Sequence, residues 1–467
     1  MFGPSYFAND GKPIYVCALV SFASYLTALQ IQASGLDVAN GFHLGIVPED
    51  LDDNYAIPEE KLVDNMRAGE WDCYIDTLDN IARIEYGKMT AIVDESAGGD
   101  GMYARNVASI YDLRGKRIVY QKDSSAEYFV RFVLFIAQIP ASEVTLIPIV
   151  SAEECVSIFN SGGADVLSLY DPYFAEVTQS GGQKLMLSDQ LRIILDVIVT
   201  SQKSIDERTD LVQGFHNAWF EALKFQFENP VAAAEHIAAF GQNEWSAVPV
   251  EGSDEALRSL MTTIAQANLQ QNAALMRDPQ PLYVAMQAAR DLFGITGVVS
   301  TRPLNTAIDP RFVLKAADTD RYFSKAPPLN ATFSLAPGVN NDASSSAELP
   351  CNQYAFLPNT TSLTPASQQV LDVCVVPSLL QREGAQLTIV GSAAWPSPQS
   401  KYSETDIINF GLQRANAIAG YLVSQGIARD RITVSSILPP EDRRGSSDER
   451  KLALDRVVQM KLKLSAP

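Results

Sequence analysis

Two stretches of the chain repeat one arrangement: Met66 to Asp76 (MRAGEWDCYID) and Phe159 to Asp171 (FNSGGADVLSLYD). In each, a helical pattern stops at a glycine suited to the left-handed C′ position, an aspartate follows three residues later, and an apolar run ends on a second aspartate. If the apolar runs are strands, Asp76 and Asp171 stand at strand ends of two similar lobes and face one crevice. Carboxylates so placed suit cationic or hydroxyl-rich groups, and each reads equally well as a helix N-cap. Other chemistry finds little support. There is no nucleophile elbow and no phosphate loop, and His43, His216 and His236 share neither dyad nor metal-ligand spacing, so no catalytic residue, metal or cofactor is expected. The five cysteines form no CxxC pair. Cys17, Cys73 and Cys155 sit in or beside apolar runs and read as small buried hydrophobes. Cys351 and Cys374 flank a strand-turn-helix segment, where a disulfide is expected if the protein is extracytoplasmic.

The elements that must position these residues alternate as in a parallel α/β sheet. Strands are expected at 13–20, 73–75, 116–121, 144–148 and 166–169, with helices at 25–34, 61–68, 125–138 and 152–160. From 204 to about 297 the apolar spacing is helical, with segments at 210–228, 230–240, 254–274 and 279–293. Residues 326–350 are rich in Pro, Asn, Ser and Ala and read as a linker. A compact pattern then restarts: a helix opened by Thr364-Pro365, a strand at 387–390, a helix at 406–425, and strands at 431–437 and 456–464.

With 467 residues, 46% hydrophobic, several domains with sizeable cores are expected. A net charge of -19 argues against a nucleic-acid partner, since phosphate binding needs a basic face. The apolar run from Ile14 to Leu26 is broken by Ser21, Ser24 and Tyr25 and is too short to span a membrane. Met1 to Gly11 has neither the basic start nor the long apolar stretch of an export signal.

Residues 13 to about 310 resemble the type II periplasmic-binding-protein fold, particularly the ABC-transporter solute receptors of nitrate, taurine and thiamine-precursor uptake. The resemblance rests on GKPIYVCALVSFASY, MRAGEWDCYIDTLDN, VDESAGGDGMYAR, IYDLRGKRIVYQKDSSAEYF and NSGGADVLSLYDPY. It implies a two-lobed domain, with residues 13–105 and 197–320 in lobe I and 106–196 in lobe II. The chain is expected to cross near Met102 to Val107 and return near Asp196 to Thr200. It also implies ligand contacts at Ser24, Tyr25, Asp76, Thr77, Gly99, Asp100, Ser124, Ser125, Tyr170, Asp171 and Tyr173. The serines at a helix start suit an anionic or polar group and the aspartates a cationic one. With no arginine among these contacts, a small polar or amine-containing metabolite is favoured over an oxyanion.

Residues 351–467, after a linker at 321–350, resemble the small α+β OmpA-like domain through LTIVG, NFGLQRANAIAGYLVSQGIARDRITV and DRVVQMKLKL. That family binds the diaminopimelate of peptidoglycan with an Asp and an Arg. Arg414 matches the arginine, but Ser392-Ala393-Ala394-Trp395 replaces the His-Thr-Asp run, which puts peptidoglycan binding in doubt. The two resemblances together imply an α/β, two-lobed receptor followed by an envelope-docking domain. Its partners would be a small solute, an ABC permease, and peptidoglycan or an envelope protein, at the periplasm or cell surface. A structural or assembly protein with both sites degenerate is the alternative, marked by a cleft plugged with apolar side chains or linker. An enzyme ranks third.

Overall fold

The computed structural model describes residues 10–19, 26–48, 59–191, 193–233, 235, 264–294, 303–318, 346–347, 349, 351–380 and 384–463. Two sheets carry the first two thirds of the chain. The first uses β1 (Ile14–Leu19), β2 (His43–Pro48), β3 (Cys73–Thr77), β4 (Lys88–Ser96), β10 (Leu195–Thr200) and β11 (Ile264–Gln266), in the order β11-β4-β10-β3-β1-β2. β1, β2 and β3 run parallel, and β10 is antiparallel to β3 and β4. Every residue of β10 is buried, as a central strand covered on both faces requires.

The second sheet has the order β7-β6-β8-β5-β9, from β5 (Asp100–Ala104), β6 (Arg117–Gln121), β7 (Thr145–Ile149), β8 (Val166–Tyr170) and β9 (Gln183–Leu187). Because β5 already lies in this sheet, the chain crosses at residues 97–99, earlier than Met102 to Val107. It returns through 188–194 into β10. The helices around the two sheets are α1 (Leu26–Ala33), α2 (Leu36–Ala39), α3 (Glu59–Ala68), α4 (Leu78–Arg83), α5 (Ser125–Ile136), α6 (Ala152–Asn160), α7 (Phe174–Gln179), α8 (Gln202–Glu207), α9 (Thr209–Glu228), α10 (Leu269–Arg277), α11 (Gln280–Leu292) and α12 (Arg311–Asp318).

One expected element is corrected. The helix placed at 254–274 is interrupted by β11, whose backbone pairs with Asp94 to Ser96 at the sheet edge; α10 begins only at Leu269, capped by Asn268 and Gln271. Residues 241–263 and most of the expected linker lie outside the described residues.

The C-terminal sheet has the order β12-β16-β14-β15, with β13 also pairing β16. Its strands are β12 (Ser346–Ala347), β13 (Gln353–Ala355), β14 (Gln386–Ser392), β15 (Ile432–Ile437) and β16 (Val457–Lys463). Helices α13 (Pro365–Val370), α14 (Val376–Leu380), α15 (Glu404–Ser424) and α16 (Glu449–Ala453) accompany it. Thr364 caps α13 with Pro365 at its first position, and Ser403 and Asp406 form a capping box on α15. The edge of β13 is held by lobe II: Gln353 N donates to Tyr111 Oη at 3.0 Å and Ala355 N to Gln138 Oε1 at 3.1 Å. These side chains satisfy amides that an open edge strand would leave to other chains.

Cys351 and Cys374 are disulfide-bonded, and so are Cys17 and Cys73, which the sequence suggests as separate buried hydrophobes. Cys17 and Cys73 are register partners on adjacent parallel strands, a pairing that only the sheet reveals. Cys155 is buried and free, its thiol pushed up to about 12 by burial and by nearby Glu154. No described helix is long and apolar enough to cross a membrane.

Candidate functional site at the crossover

Strand ends bring the site together. Gln121 closes β6, Tyr170 closes β8 with Asp171 just beyond it, and Asp100 opens the antiparallel β5 directly opposite Tyr170. The four residues therefore share one edge of the second sheet, next to both chain crossings. Asp171 N donates to Gly99 O at 2.8 Å, so Gly99 acts through its backbone. Ser188 stitches the crossings: its Oγ lies 2.8 Å from Ser96 Oγ and accepts from the amides of Gly98 at 2.8 Å and Asp100 at 3.2 Å.

Two carboxyls dominate the electrostatics here. Ser125 Oγ donates to Asp100 Oδ1 at 2.7 Å. Burial nevertheless raises the Asp100 carboxyl above its ordinary value, against the lowering effect of hydrogen bonds from Ser96 and Ser125. Asp171 is pushed up to about 6 by burial and then by the neighbouring Asp100 charge, against a weaker pull from Lys184. Its carboxylate accepts no hydrogen bond from any described residue. Tyr170 Oη donates to Gln121 Oε1 at 2.7 Å, which leaves Gln121 a polar neighbour of the same edge.

The remaining expected contacts separate from this cluster. Asp76 is buried and saturated: it accepts from Thr77 N at 2.7 Å, Asn80 Nδ2 at 2.8 Å and Tyr86 Oη at 2.5 Å. Thr77 is the N-cap of α4 but makes no side-chain capping bond. Ser124 caps α5, accepting from Ala126 N and donating to Gln121 O, so its hydroxyl is committed to the backbone. Tyr173 turns away to Glu153 on α6. Ser24 and Tyr25 lie outside the described residues. The start of α5 is no open anion site either, because Glu127 accepts from Asp123 N and pairs with Arg131.

The lobes meet at Phe293, which follows α11. Arg83 of α4 lies 3.9 Å from the ring centroid and Arg131 of α5 lies 4.6 Å from it, with Tyr128 stacked at 6.4 Å. Arg83 also pairs with buried Asp79 at 3.6 Å; burial pushes that carboxyl up to about 6, with Arg83 pulling it down. Sequence reasoning missed Ser96, Gln121, Ser188 and Phe293. Ser96 and Gln121 stand inside motifs it used, whereas nothing local marks Ser188.

In the C-terminal domain Arg414 is 1% exposed, and its guanidinium donates to the carbonyls of Leu357, Thr360 and Ser392. Burial, then Arg456, brings it down to about 10. Trp395 is packed, donating Nε1–H to Gln399 O, with Arg444 over its ring at 5.6 Å. A ring already covered by an arginine is poorly placed to receive a ligand ammonium.

A family model described as NMT1/THI5 like matches residues 100–233, from the start of β5 to just past α9. The periplasmic sulfonate-binding protein SsuA of a putative sulfonate ABC transporter from Methylobacillus flagellatus KT superposes with a TM-score of 0.50 at 12% identity, covering 69% of this chain and 99% of that one. The first two thirds of the chain therefore have a periplasmic-binding-protein-like α/β fold. The aliphatic sulphonate binding protein SsuA from Escherichia coli is also similar, with a TM-score of 0.48, 13% identity and coverage of 63% and 97%. So is the desulfurization enzyme DSZB, with a TM-score of 0.45, 16% identity and coverage of 66% and 100%. No curated protein matches the chain. A fold alone does not choose between binding and catalysis.

Proposed function

We propose that this chain is the extracytoplasmic solute-binding protein of an ABC-type uptake system, without catalytic activity, and that it holds a small amine-bearing metabolite at the crossover between its lobes. The observation that carries this reading is Asp171: a half-buried carboxylate, beside Asp100, with no donor from any described residue. A ligand ammonium would supply the missing donors and the opposite charge in one group. Sulfonate is the ligand in the names of similar solved proteins, but two carboxyls and a helix start already filled by Glu127 oppose an anion here. Two disulfides among the described residues support an oxidising compartment.

The C-terminal region is read as an OmpA-like docking module. Its strand order supports the likeness, and the commitment of Arg414 to three carbonyls favours docking to protein over a peptidoglycan clamp. The same commitment, with the saturation of Asp76 and the contact of both lobes on Phe293, is what favours the rival reading of a structural envelope protein with degenerate sites. A thermal-shift screen of the full chain against matched alkylamines and alkanesulfonates separates them. Stabilisation by amines that is lost in Asp171→Asn supports the receptor; amine stabilisation that survives Asp171→Asn, or none at all, refutes an amine receptor.

A further inference from the structure

A cavity of about 560 Å³ lies on lobe I away from the crossover, between the end of α3, the turn into β4 and the start of α8. Its volume falls in the range of small-molecule sites. The buried side chains of Met66 and Tyr86, with Pro303, give it apolar walls, and Arg67, Lys88 and Lys203 bring three cations to it against one acid, Glu85. In a chain of net charge -19 this is a local inversion of sign. Among the described residues none of the three forms an ion pair. Arg67 donates to the carbonyl of Glu85, and Lys203 Nζ donates to that of Ala68 at 2.8 Å. The Lys203 stem is held against Gly69, where a Cβ would come within 2.6 Å of its Cδ.

Compensation of the α3 C-terminal dipole accounts for Lys203, which bonds the Ala68 carbonyl, and for Arg67, which stands in the last turn of that helix. It does not account for Lys88, which stands half-buried at the start of β4 and whose ammonium makes no hydrogen bond to a described residue. Asp309, a carboxylate that feels its charge, is already taken by Arg311. An ammonium has three donors, and these cations leave most of theirs unused.

We propose that this cavity is a binding site for a small organic anion, a carboxylate or sulfonate on an apolar body, independent of the cleft. The apolar walls would take the body and the three cations the charged end, a division of labour usual for ligand pockets.

The test is a saturation-transfer NMR titration of the full chain with benzoate, benzamide and benzylamine, on the wild type, Lys88→Gln, Lys88→Arg, Lys203→Met and Asp171→Asn. Asp171 is the cleft control, because Asp76 is joined to the cavity wall through Tyr86. Saturable benzoate binding is expected, with benzamide much weaker, and with benzylamine much weaker in Asp171→Asn, where the crossover no longer offers it a carboxylate. Lys88→Gln should weaken benzoate about tenfold, a loss typical of one charge-assisted contact, and Lys88→Arg and Asp171→Asn should leave it unchanged. Lys203→Met removes a bond to α3 as well as a charge, so Lys88→Gln keeps the test sound if that variant folds poorly. Failure of benzoate to bind, equal binding of benzamide, or loss in Asp171→Asn with retention in Lys88→Gln would each overturn the site. Only the last of these outcomes bears on the crossover, where it would place an anion beside Asp171; the others leave amine binding there untouched.

Discussion

Asp76 and Asp171 close the same sequence pattern at the ends of β3 and β8, yet their surroundings differ. In the first lobe Asp76 accepts from Thr77, Asn80 and Tyr86, and the strand that carries it is cross-linked to β1 through Cys73. In the second lobe Asp171 receives no bond to its carboxylate from the described residues and sits beside a second acid next to the chain crossings. A carboxylate that is saturated and pinned builds structure; one left half-buried and undersupplied with donors is available to a ligand. A repeated motif thus marks position, and its hydrogen-bond partners decide its role.

The largest expected effect tests the rigidity of the first lobe. Replacing Cys17 and Cys73 together by alanine should cost about 4 kcal/mol, from the entropy released when a loop of 56 residues is no longer closed. Urea denaturation with and without a reductant measures it, and a loss below about 1 kcal/mol would remove rigidity from the contrast. Asp76→Ala comes next, at roughly 2–4 kcal/mol, because it strands the Tyr86 hydroxyl and the Asn80 amide. Asp171→Asn should change stability near pH 7 far less. If the two substitutions cost the same, the lobes do not differ in the way described. A smaller effect is expected from Phe293→Leu, about 1 kcal/mol from two lost cation–π contacts. It should also loosen the lobes, which small-angle scattering would record as a larger radius of gyration; an unchanged radius would mean that Phe293 does not hold them.

The smallest effect concerns pH. The folded Asp171 keeps its proton to about 6, above the ordinary aspartate value of 3.8, so the folded state binds more protons in that interval. The group's contribution to stability is therefore full below about 4 and is lost as pH rises through about 6. Asp79 acts in the same direction. Asp171→Asn should flatten, without abolishing, the fall in melting temperature between about pH 4 and 6.5. An unchanged slope would show that Asp171 is better solvated than its surroundings suggest.

Local rules exposed much of the scaffold. The Ala152–Asn160 helix, the Thr364-Pro365 start and the strands that carry Asp76 and Asp171 follow from apolar period, capping residues and terminal glycines. The same rules read β11 as helix, because three residues at a sheet edge take their identity from pairing with β4 rather than from their own pattern. The candidate site was legible at Asp100, Ser125 and Asp171, which stand at or next to the ends of elements. Ser188 was not, since its role comes from Ser96, 92 positions away. Arg414 matched a family pattern, but the three carbonyls that take up its guanidinium belong to distant segments, and only folding brings them there.

The most direct test of amine recognition at the crossover is calorimetric titration of the full chain with the amine that stabilises it best in the thermal-shift screen, between about pH 5 and 8. If Asp171 supplies the recognising charge, affinity should rise about tenfold for each pH unit well below a midpoint near 6 and level off above it, with the rise absent in Asp171→Asn. Affinity that is flat across this range in the wild type, or a rise that survives Asp171→Asn, would contradict the assignment.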